Sequence, residues 1–302
     1  MKLAAKVWFA IYGLALLAVV SAPVEATGDD KAVDIVRPMV VPNDPAFRYF
    51  PNLLKAVMEA TKDTHGAYIW RPWVPDVSGG SVRRRARMMK QGGALNVLFT
   101  AEAAAAESGI ITARYHINKG LYGYRVLLIR RGDAARFVGI KGKEDLSALT
   151  AGQGRGWPDV SVYLENNLPV EATGQFQSLL SMLAAGRFDY YPLGIVEATS
   201  ILKQCGDDCS GLMIEPNLLL HYPFPIFFQV SATASHLVGR LEKGMEKVLA
   251  NGKFEEIWRK HHDPLLAEIS LSNRTIIELS NARVPAFTKL DRADLWVDIR
   301  RY

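Results

Sequence analysis

Strand-like and helix-like segments alternate along most of the 302-residue chain, and this alternation limits the possible folds more than any single motif does. Apolar runs at 33–41 and 124–129 have the composition of strands. Residues 50–61 and 237–249 instead repeat apolar side chains at helical spacing. Alternation of this kind is typical of proteins with mainly parallel sheets covered by helices. We therefore predict an α/β fold.

The first 26 residues have the pattern of an export signal. Lys2 and Lys6 precede an apolar run at 8–20, and small residues flank a cleavage point near Ala26. The run is shorter than the about 20 residues that a membrane span needs, although an uncleaved anchor is the alternative. We expect residues 1–26 to be removed and the mature chain to be a soluble periplasmic protein. No cysteine lies near the leader, so a lipoprotein is not expected.

Two cysteines, Cys205 and Cys209, stand four positions apart in a polar, turn-rich stretch. In an oxidising compartment this spacing favours a disulfide between them. The six histidines are scattered except for His261 and His262, so no metal-ligand spacing is evident. We predict a structural disulfide, no metal and no cofactor.

The net charge of +5 is too small and too dispersed to indicate nucleic acid as a partner. One basic cluster, Arg83–Arg85 with Arg87 and Lys90, alternates with apolar residues at helical spacing. This pattern predicts an amphipathic helix with a solvated basic face. Contact with nucleic acid or an anionic membrane is the alternative interpretation of that face.

A glycine-rich stretch at 150–156 is the most informative segment for mechanism. We predict a strand at 146–149, a glycine turn, and a helix from Trp157 to about Asn167. Backbone N–H groups at such a helix start suit a carboxylate or another anion. The glycine spacing matches neither a dinucleotide fingerprint nor a phosphate loop. Glycines kept only for close packing are the alternative.

The order of these segments resembles that of the type 2 periplasmic solute-binding proteins, in particular the extracellular solute-binding family 3. The resemblance spans residues 33–262, and its best local matches are Leu-Ala-Ala-Gly-Arg-Phe-Asp at 183–189 and the segment 248–258. It implies two α/β lobes joined by two crossing strands, with ligand trapped between them by hinge closure. Lobe one would comprise 27–123 and 218–302, and lobe two 124–217.

The chain departs from the amino-acid binders of that family at the positions that hold the ligand. Those proteins carry an arginine for the ligand carboxylate after the third strand, whereas residues 101–107 here contain none. They also carry an aspartate for the ligand ammonium near a position that is Gly194 here, with Glu197 one helical turn further on. A standard α-amino acid is therefore not the expected ligand.

Ligands of open parallel sheets bind at the carboxyl ends of strands and in the loops that follow. This rule predicts ligand contacts, and no catalytic residues, at Asp44, Tyr49, Trp70, Trp73, Thr100, Gly154, Arg155, Gly156, Trp157, Tyr191 and Glu197. Each tryptophan could instead belong to the core, and Arg155 could be a solvated loop charge.

We expect a monomeric solute-binding protein that captures a small polar ligand, anionic or zwitterionic, for an ABC-type importer. One alternative is a sensing module that signals to a membrane receptor. The other is a lyase or dehydratase, although no nucleophile and base stand at suggestive spacing.

The tail at 271–302 exceeds what this fold needs. We predict a strand at 274–279. We also predict an irregular segment at 285–296 that wraps over the protein and is anchored by Phe287, Leu290, Leu295 and Trp296. The alternative is that the tail forms a surface on which a partner docks.

Overall fold

The computed structural model describes residues 33–41, 48–75, 82–101, 108–174 and 178–302. The predicted leader therefore lies outside the described residues. The strands are β1 (Asp34–Val36), β2 (Tyr68–Trp70), β3 (Val97–Thr100), β4 (Ile110–His116), β5 (Tyr124–Arg130), β6 (Ala151–Gly154), β7 (Val170–Thr173), β8 (Tyr190–Gly194), β9 (Leu212–Ile214), β10 (Leu218–His221), β11 (Phe227–Ser231) and β12 (Thr275–Glu278). The helices are α1 (Tyr49–Glu59), α2 (Lys62–His65), α3 (Val82–Gln91), α4 (Lys143–Leu146), α5 (Pro158–Glu165), α6 (Leu179–Ala184), α7 (Ile195–Cys205), α8 (His236–Ala250) and α9 (Lys253–Leu266).

The strands form a first and a second group, and within each group most strands point in the same direction. In the first group, β1 and β2 are parallel, and a parallel bridge between Pro38 and Val97 links them to the order β3-β11-β4. Here β11 runs against both of its neighbours. The second group has the order β12-β10-β5-β8-β6-β7, with β9 also on β5, and β5 is its reversed strand. The predicted α/β fold is confirmed.

Two crossing segments connect the groups and touch each other. The chain passes from β4 to β5 through 117–123 and from β10 back to β11 through 222–226. The Tyr222 amide donates to the Gly123 carbonyl at 3.2 Å, and a Cβ on Gly123 would lie 2.0 Å from the Tyr222 carbonyl oxygen. Only glycine allows this approach. The strands β10 and β12 pair in the second group, although both lie in the segment 218–302 that was predicted for lobe one. The lobe boundaries stay a prediction.

The helices cover these sheets with the apolar faces that their sequences contain. In α1, Leu53, Leu54, Val57 and Met58 are buried, as their spacing predicts, and α8 and α9 pack against this helix. The basic helix α3 is also present; its Met89 is buried in the small core beneath the helix, whereas Ala86 is exposed.

The predicted strand at 146–149 is wrong, and the glycine stretch itself forms the strand. Residue Leu146 ends α4, whose start is capped by the Asp145 carboxylate, an acceptor for the Lys141 amide at 2.9 Å. In β6, the Phe188 ring occupies the place that a Cβ on Gly152 would take. The Trp157 ring likewise occupies the place that a Cβ on Gly154 would take. The glycines of β6 are therefore required by close ring packing, and they do not form a loop.

Replacing Gly152 by alanine is expected to destabilise the protein by about 1–3 kcal/mol, because the added methyl group overpacks the core. Its carbon would lie 2.2 Å from Cζ of Phe188. Urea unfolding measures the loss, and Gly132→Ala is the matched control because its Cβ meets nothing within 4 Å. Equal stability of the two variants would contradict the packing account.

The disulfide and the tail are the remaining features of the fold. Residues Cys205 and Cys209 are joined by a disulfide bond of 1.96 Å, as predicted.

In the tail, β12 confirms the predicted strand, and Leu295 is buried. The ring centroids of Trp296 and His116 lie 4.5 Å apart. The predicted anchor Leu290 is 56% exposed and is therefore wrong. It lies in a tight turn, where its amide donates to the Thr288 carbonyl, so its side chain points to solvent.

Within the described ranges, no helix is long and apolar enough to cross a membrane.

Candidate functional site

A cavity of about 180 Å³ lies at the carboxyl ends of β6 and β8. This edge is where ligands bind in open α/β sheets. Because β5 is antiparallel to β8, its first residues also reach this edge, and Arg125 pairs with Gly194. We call this space the sheet-edge cavity; its lining residues are Tyr122, Arg125, Gln153, Trp157, Asp159, Pro192, Leu193, Glu197 and Phe224.

A buried triad forms one wall of the sheet-edge cavity. The Arg125 guanidinium pairs with Asp159 through Nη2 at 2.7 Å and donates from Nε to the Tyr222 hydroxyl at 2.8 Å. The Tyr222 hydroxyl in turn donates to Asp159. Burial lowers the pKa of Arg125, but the Asp159 carboxylate and the Tyr222 hydroxyl outweigh burial and raise it above its ordinary value. The guanidinium is therefore charged and already paired.

The position of Asp159 changes the interpretation of the glycine-rich corner. Residue Pro158 starts α5, and Asp159 follows in its first turn, where a carboxylate is favoured by the helix dipole. The helix start predicted to hold a ligand anion therefore carries a carboxylate of the protein itself. This arrangement opposes a second negative charge at the same place.

Residue Gly194 accommodates two charged side chains at once. A Cβ there would lie 3.0 Å from Nη1 of Arg125 and 3.3 Å from Oε2 of Glu197. Both side chains therefore pass close over its backbone, and a larger residue at position 194 would require them to shift by a few tenths of an ångström.

The cavity lining carries a net negative charge. Arg125 contributes one positive charge, and Asp159 and Glu197 contribute two negative charges. The Oε1 atom of Gln153 is buried and has no hydrogen-bond partner among the described residues. A buried acceptor without a partner costs about 1–3 kcal/mol, so a ligand N–H or O–H donor at this point is favourable. The lining therefore suits a ligand with a positively charged, hydrogen-bond-donating group.

Aromatic side chains complete the walls. The Trp157 ring covers Gly154 and is 37% exposed. The Phe224 ring lies 5.3 Å from the Arg125 guanidinium. On the other side, the Tyr122 ring lies 6.0 Å from that of Phe50 in α1. Flat apolar faces beside a negative site suit an organic cation.

A second space of about 350 Å³ lies between α1 and the end of β2. We call it the α1 recess; it is lined by Val40, Val41, Arg48, Pro51, Asn52, Lys55, Trp70 and Pro72. It also borders the carboxyl ends of parallel strands, here β1 and β2.

The structure brings some of the predicted ligand contacts together. Trp157 and Glu197 line the sheet-edge cavity, with Gly154 beneath the indole ring. Trp70 lines the α1 recess. These residues stay candidates, although the structure divides them between two spaces.

Other predicted contacts lie elsewhere. Tyr49 is buried and its hydroxyl donates to the Ile117 carbonyl. Tyr191 is also buried. Trp73 packs on the small methionine-rich core under α3, and Thr100 faces Phe227 across β3 and β11. None of these four is among the lining residues of the two described spaces, and Asp44 lies outside the described residues.

The loop after β6 holds the last two predicted contacts. Arg155 is exposed, its amide donates to the Thr173 carbonyl at 2.7 Å, and Nη2 lies 3.4 Å from the Ala172 carbonyl oxygen. Gly156 has a φ of 82°, which glycine adopts without strain. Neither residue lines the sheet-edge cavity, although both adjoin Trp157.

Seven of the nine lining residues were not predicted, among them Arg125, Gln153 and Asp159. A signal for Arg125 exists, since it is the one charged residue in the apolar run 124–129. Gln153 stands between two glycines, and Asp159 follows a helix-starting proline, so neither has a distinguishing pattern.

No protein-family model and no curated protein matches the chain. Several solved structures do match the chain. The GluR0 ligand-binding core in complex with L-glutamate has a TM-score of 0.51 at 15% identity, covering 77% of this chain and 99% of that one. The probable amino-acid ABC transporter extracellular-binding protein ytmK from Bacillus subtilis has a TM-score of 0.51 at 13% identity, with coverage of 76% and 98%.

A double mutant of the Bordetella pertussis BvgS VFT2 domain also has a TM-score of 0.51, at 16% identity, with coverage of 76% and 93%. These similarities concern the fold. The chain has the two-lobed α/β fold of the type 2 periplasmic solute-binding proteins, as the resemblance predicted.

Proposed function

We propose that a protein with this fold and this cavity captures a small polar, zwitterionic ligand between two lobes by hinge closure. The observation that carries the proposal is the negative sheet-edge cavity, where Glu197 and the buried Oε1 of Gln153 border one space. A purely anionic ligand, the other expectation from the sequence, would meet this negative charge. The ammonium group of a zwitterion would complement it.

The size of the cavity supports closure around the ligand. Ligand pockets typically measure about 300–1,000 Å³, so a space of about 180 Å³ encloses part of a ligand. The rest would contact the facing lobe, and this added contact favours the closed state. We propose lobe one as 27–123 with most of 218–302, lobe two as 124–217, and the return crossing at 222–226.

Delivery to an ABC-type importer is the proposed role, carried out by an exported periplasmic monomer. A probable ABC transporter binding protein has the same fold. Sensing for a membrane receptor is the second candidate, because the VFT2 domain of BvgS shares the fold equally well. A neighbouring permease and ATPase gene pair would favour transport, and a neighbouring receptor gene would favour sensing. We propose no catalytic role.

Changing Glu197 to glutamine is expected to weaken ligand binding by about 10-fold to 100-fold, because a charge-assisted hydrogen bond contributes about 1.5–3 kcal/mol. The assay is a thermal-shift screen against amino acids, organic acids, polyamines and sugars. A ligand at 100 times its Kd stabilises the protein by about 2.7 kcal/mol. The control is Glu171→Gln, since Glu171 is exposed in β7.

Two outcomes would count against the proposal. No stabilisation by any compound would remove the solute-binding role. A hit whose affinity is unchanged by Glu197→Gln would place the ligand outside the sheet-edge cavity. The variant Arg155→Ala tests in the same screen whether that exposed guanidinium takes part in binding.

A further inference from the structure

The tail after β12 runs from the second strand group back to the first. Strand β12 pairs with β10 of the second group, and the Leu279 amide donates to the His221 carbonyl at 2.7 Å. Beyond this bond the chain forms turns and a short 3-10 helix at 293–295. We call residues 279–297 the tail brace. It links the groups in addition to the crossing segments at 117–123 and 222–226.

One end of the tail brace is bound to the second group at the end of α5. Residue Asn166 follows this helix and is buried. Its Oδ1 atom accepts from the Ser280 amide at 3.0 Å, and its Nδ2 atom donates to the Ser280 carbonyl at 2.8 Å. The Ala282 amide donates to the Glu165 carboxylate at 3.0 Å. The end of α5 therefore holds the backbone of the brace at two points.

The other end of the tail brace packs on the first group. The Phe287 ring lies 5.4 Å from the Phe227 ring of β11, edge to face. The Lys289 ammonium lies 4.2 Å from the centroid of the Tyr115 ring of β4, within the range of a cation–π contact. The indole Nε1 of Trp296 donates to the Lys289 carbonyl at 3.1 Å, which folds this end of the brace on itself. The brace therefore contacts both strand groups.

Residue Asn281 joins the tail brace to the return crossing at 222–226. Its Nδ2 atom donates to the Pro223 carbonyl at 2.9 Å, and its Oδ1 atom accepts from the Arg283 amide at 3.0 Å. Both polar atoms of this side chain are therefore used. One amide group connects a turn of the brace to the backbone of the crossing.

Residues Trp296 and Val297 join the tail brace to the first crossing at 117–123. The Val297 amide donates to the Lys119 carbonyl at 2.9 Å. A Cβ on Gly120 would lie 2.3 Å from Cε3 of Trp296, so the indole ring lies directly on the backbone of this crossing. The same ring lies 4.5 Å from the buried His116 ring at the end of β4. A change in the torsions of this crossing must displace the indole or break its contacts.

We propose that the tail brace restrains the hinge between the two lobes by binding both crossing segments. The proposal rests on the hinge closure proposed above, since it assigns the segment that limits this motion. The contacts of Asn281, Trp296 and Val297 depend on the torsions of the crossings, so each departure from the present arrangement of the lobes loses some of them. The brace thereby limits the amplitude of the motion and favours the present arrangement.

Two variants each release the tail brace from one crossing. Asn281→Asp keeps the size of the side chain and the acceptor for the Arg283 amide, but it places an acceptor where the donor to the Pro223 carbonyl was. Trp296→Leu removes the indole from the backbone of Gly120. The first variant acts on the return crossing, and the second acts on the first crossing.

The measurement is the distance between spin labels on the two groups, by pulsed electron paramagnetic resonance of the unliganded protein. The labels are attached to Val138→Cys, after β5, and Lys243→Cys, in α8; both positions are exposed. The native cysteines, Cys205 and Cys209, are joined in a disulfide and do not react. We expect each release variant to widen the distance distribution of the labelled parent by about 2 Å or more.

Two controls separate release of the tail brace from other effects. Lys203→Met breaks an exposed ion pair with Glu268, between α7 and the chain after α9, and such pairs contribute little. Gly152→Ala lowers stability through core packing and leaves the brace intact. Both controls should keep the distance distribution of the labelled parent.

The possible failures are distinguishable. Unchanged distributions in both release variants overturn the restraint, whatever the ligand screen finds. Equal widening in either control also overturns it, because the effect would then not depend on the tail brace. Widening in one release variant alone supports a restraint at that crossing. Widening together with a silent ligand screen keeps the restraint and removes the solute-binding role.

Discussion

Replacing Asp159 by alanine is expected to lower the free energy of unfolding by about 3–5 kcal/mol. The substitution leaves the Arg125 guanidinium buried without its carboxylate, and an uncompensated buried charge has a cost of this size. It also removes the acceptor of the Tyr222 hydroxyl. Since many domains are stable by only about 5–15 kcal/mol, the variant should unfold at a much lower denaturant concentration.

A double variant separates loss of the pair from simple loss of packing. Arg125→Met with Asp159→Ala removes both charges, and it should recover most of the stability, because apolar replacement of a buried ion pair is often neutral. The variant Asp294→Ala is the surface control: it breaks the exposed pair with Arg292, and such pairs contribute about 0–1 kcal/mol. A cost below about 1 kcal/mol for Asp159→Ala would show that the triad is not a buried charge network.

Acidification from pH 7 to pH 4 is expected to remove about 3 kcal/mol of stability for each of two buried histidines. Burial lowers the pKa of His116 to about 4 and that of His262 to about 4, against about 6.5 in the unfolded chain. Between these values the unfolded chain binds protons that the folded chain does not. The stability is therefore present above pH 6.5 and is lost as the pH falls through 4.

The variant His116→Phe isolates one of these contributions. Neither ring nitrogen of His116 has a hydrogen-bond partner among the described residues, so phenylalanine should fit the same space without a new unpaired group. Urea unfolding at several pH values should show a shallower loss of stability than in the parent protein, by about 3 kcal/mol over the range. The control Val138→Ala, at an exposed residue that does not titrate, should keep the parent's slope. Identical slopes for parent and His116→Phe would contradict the buried, neutral ring.

The α/β architecture could be predicted because apolar residues recur along the sequence with the spacing of helices and strands. The apolar face of α1 corresponds to a helix in the structure, and the two crossings implied by the family resemblance lie at 117–123 and 222–226. The strand at β6 could not be predicted, since Ala-Gly-Gln-Gly has little strand propensity. Its strand conformation is supported by pairing with β7 and β8 and by the Phe188 ring on Gly152, which are contacts distant in sequence, whereas the Trp157 ring on Gly154 is a local contact.

The candidate site was predictable only where strand ends pointed to it. Glu197 and Trp157 follow β8 and β6 and were identified by that rule. Arg125 was missed because it lies at the start of its strand, and the start of β5 reaches the same edge only because this strand is reversed. The ligand charge expected from a glycine-rich helix start also changes, because Asp159 already supplies a carboxylate there.

The contact between the two crossing segments limits how the lobes can move. With the Tyr222 amide bonded to the Gly123 carbonyl, the backbones of both crossings meet at one point. Any rotation of one sheet against the other has to bend both crossings together near that point. In the hinge closure proposed above, the backbone torsions on either side of Gly123 and Tyr222 would serve as a common pivot.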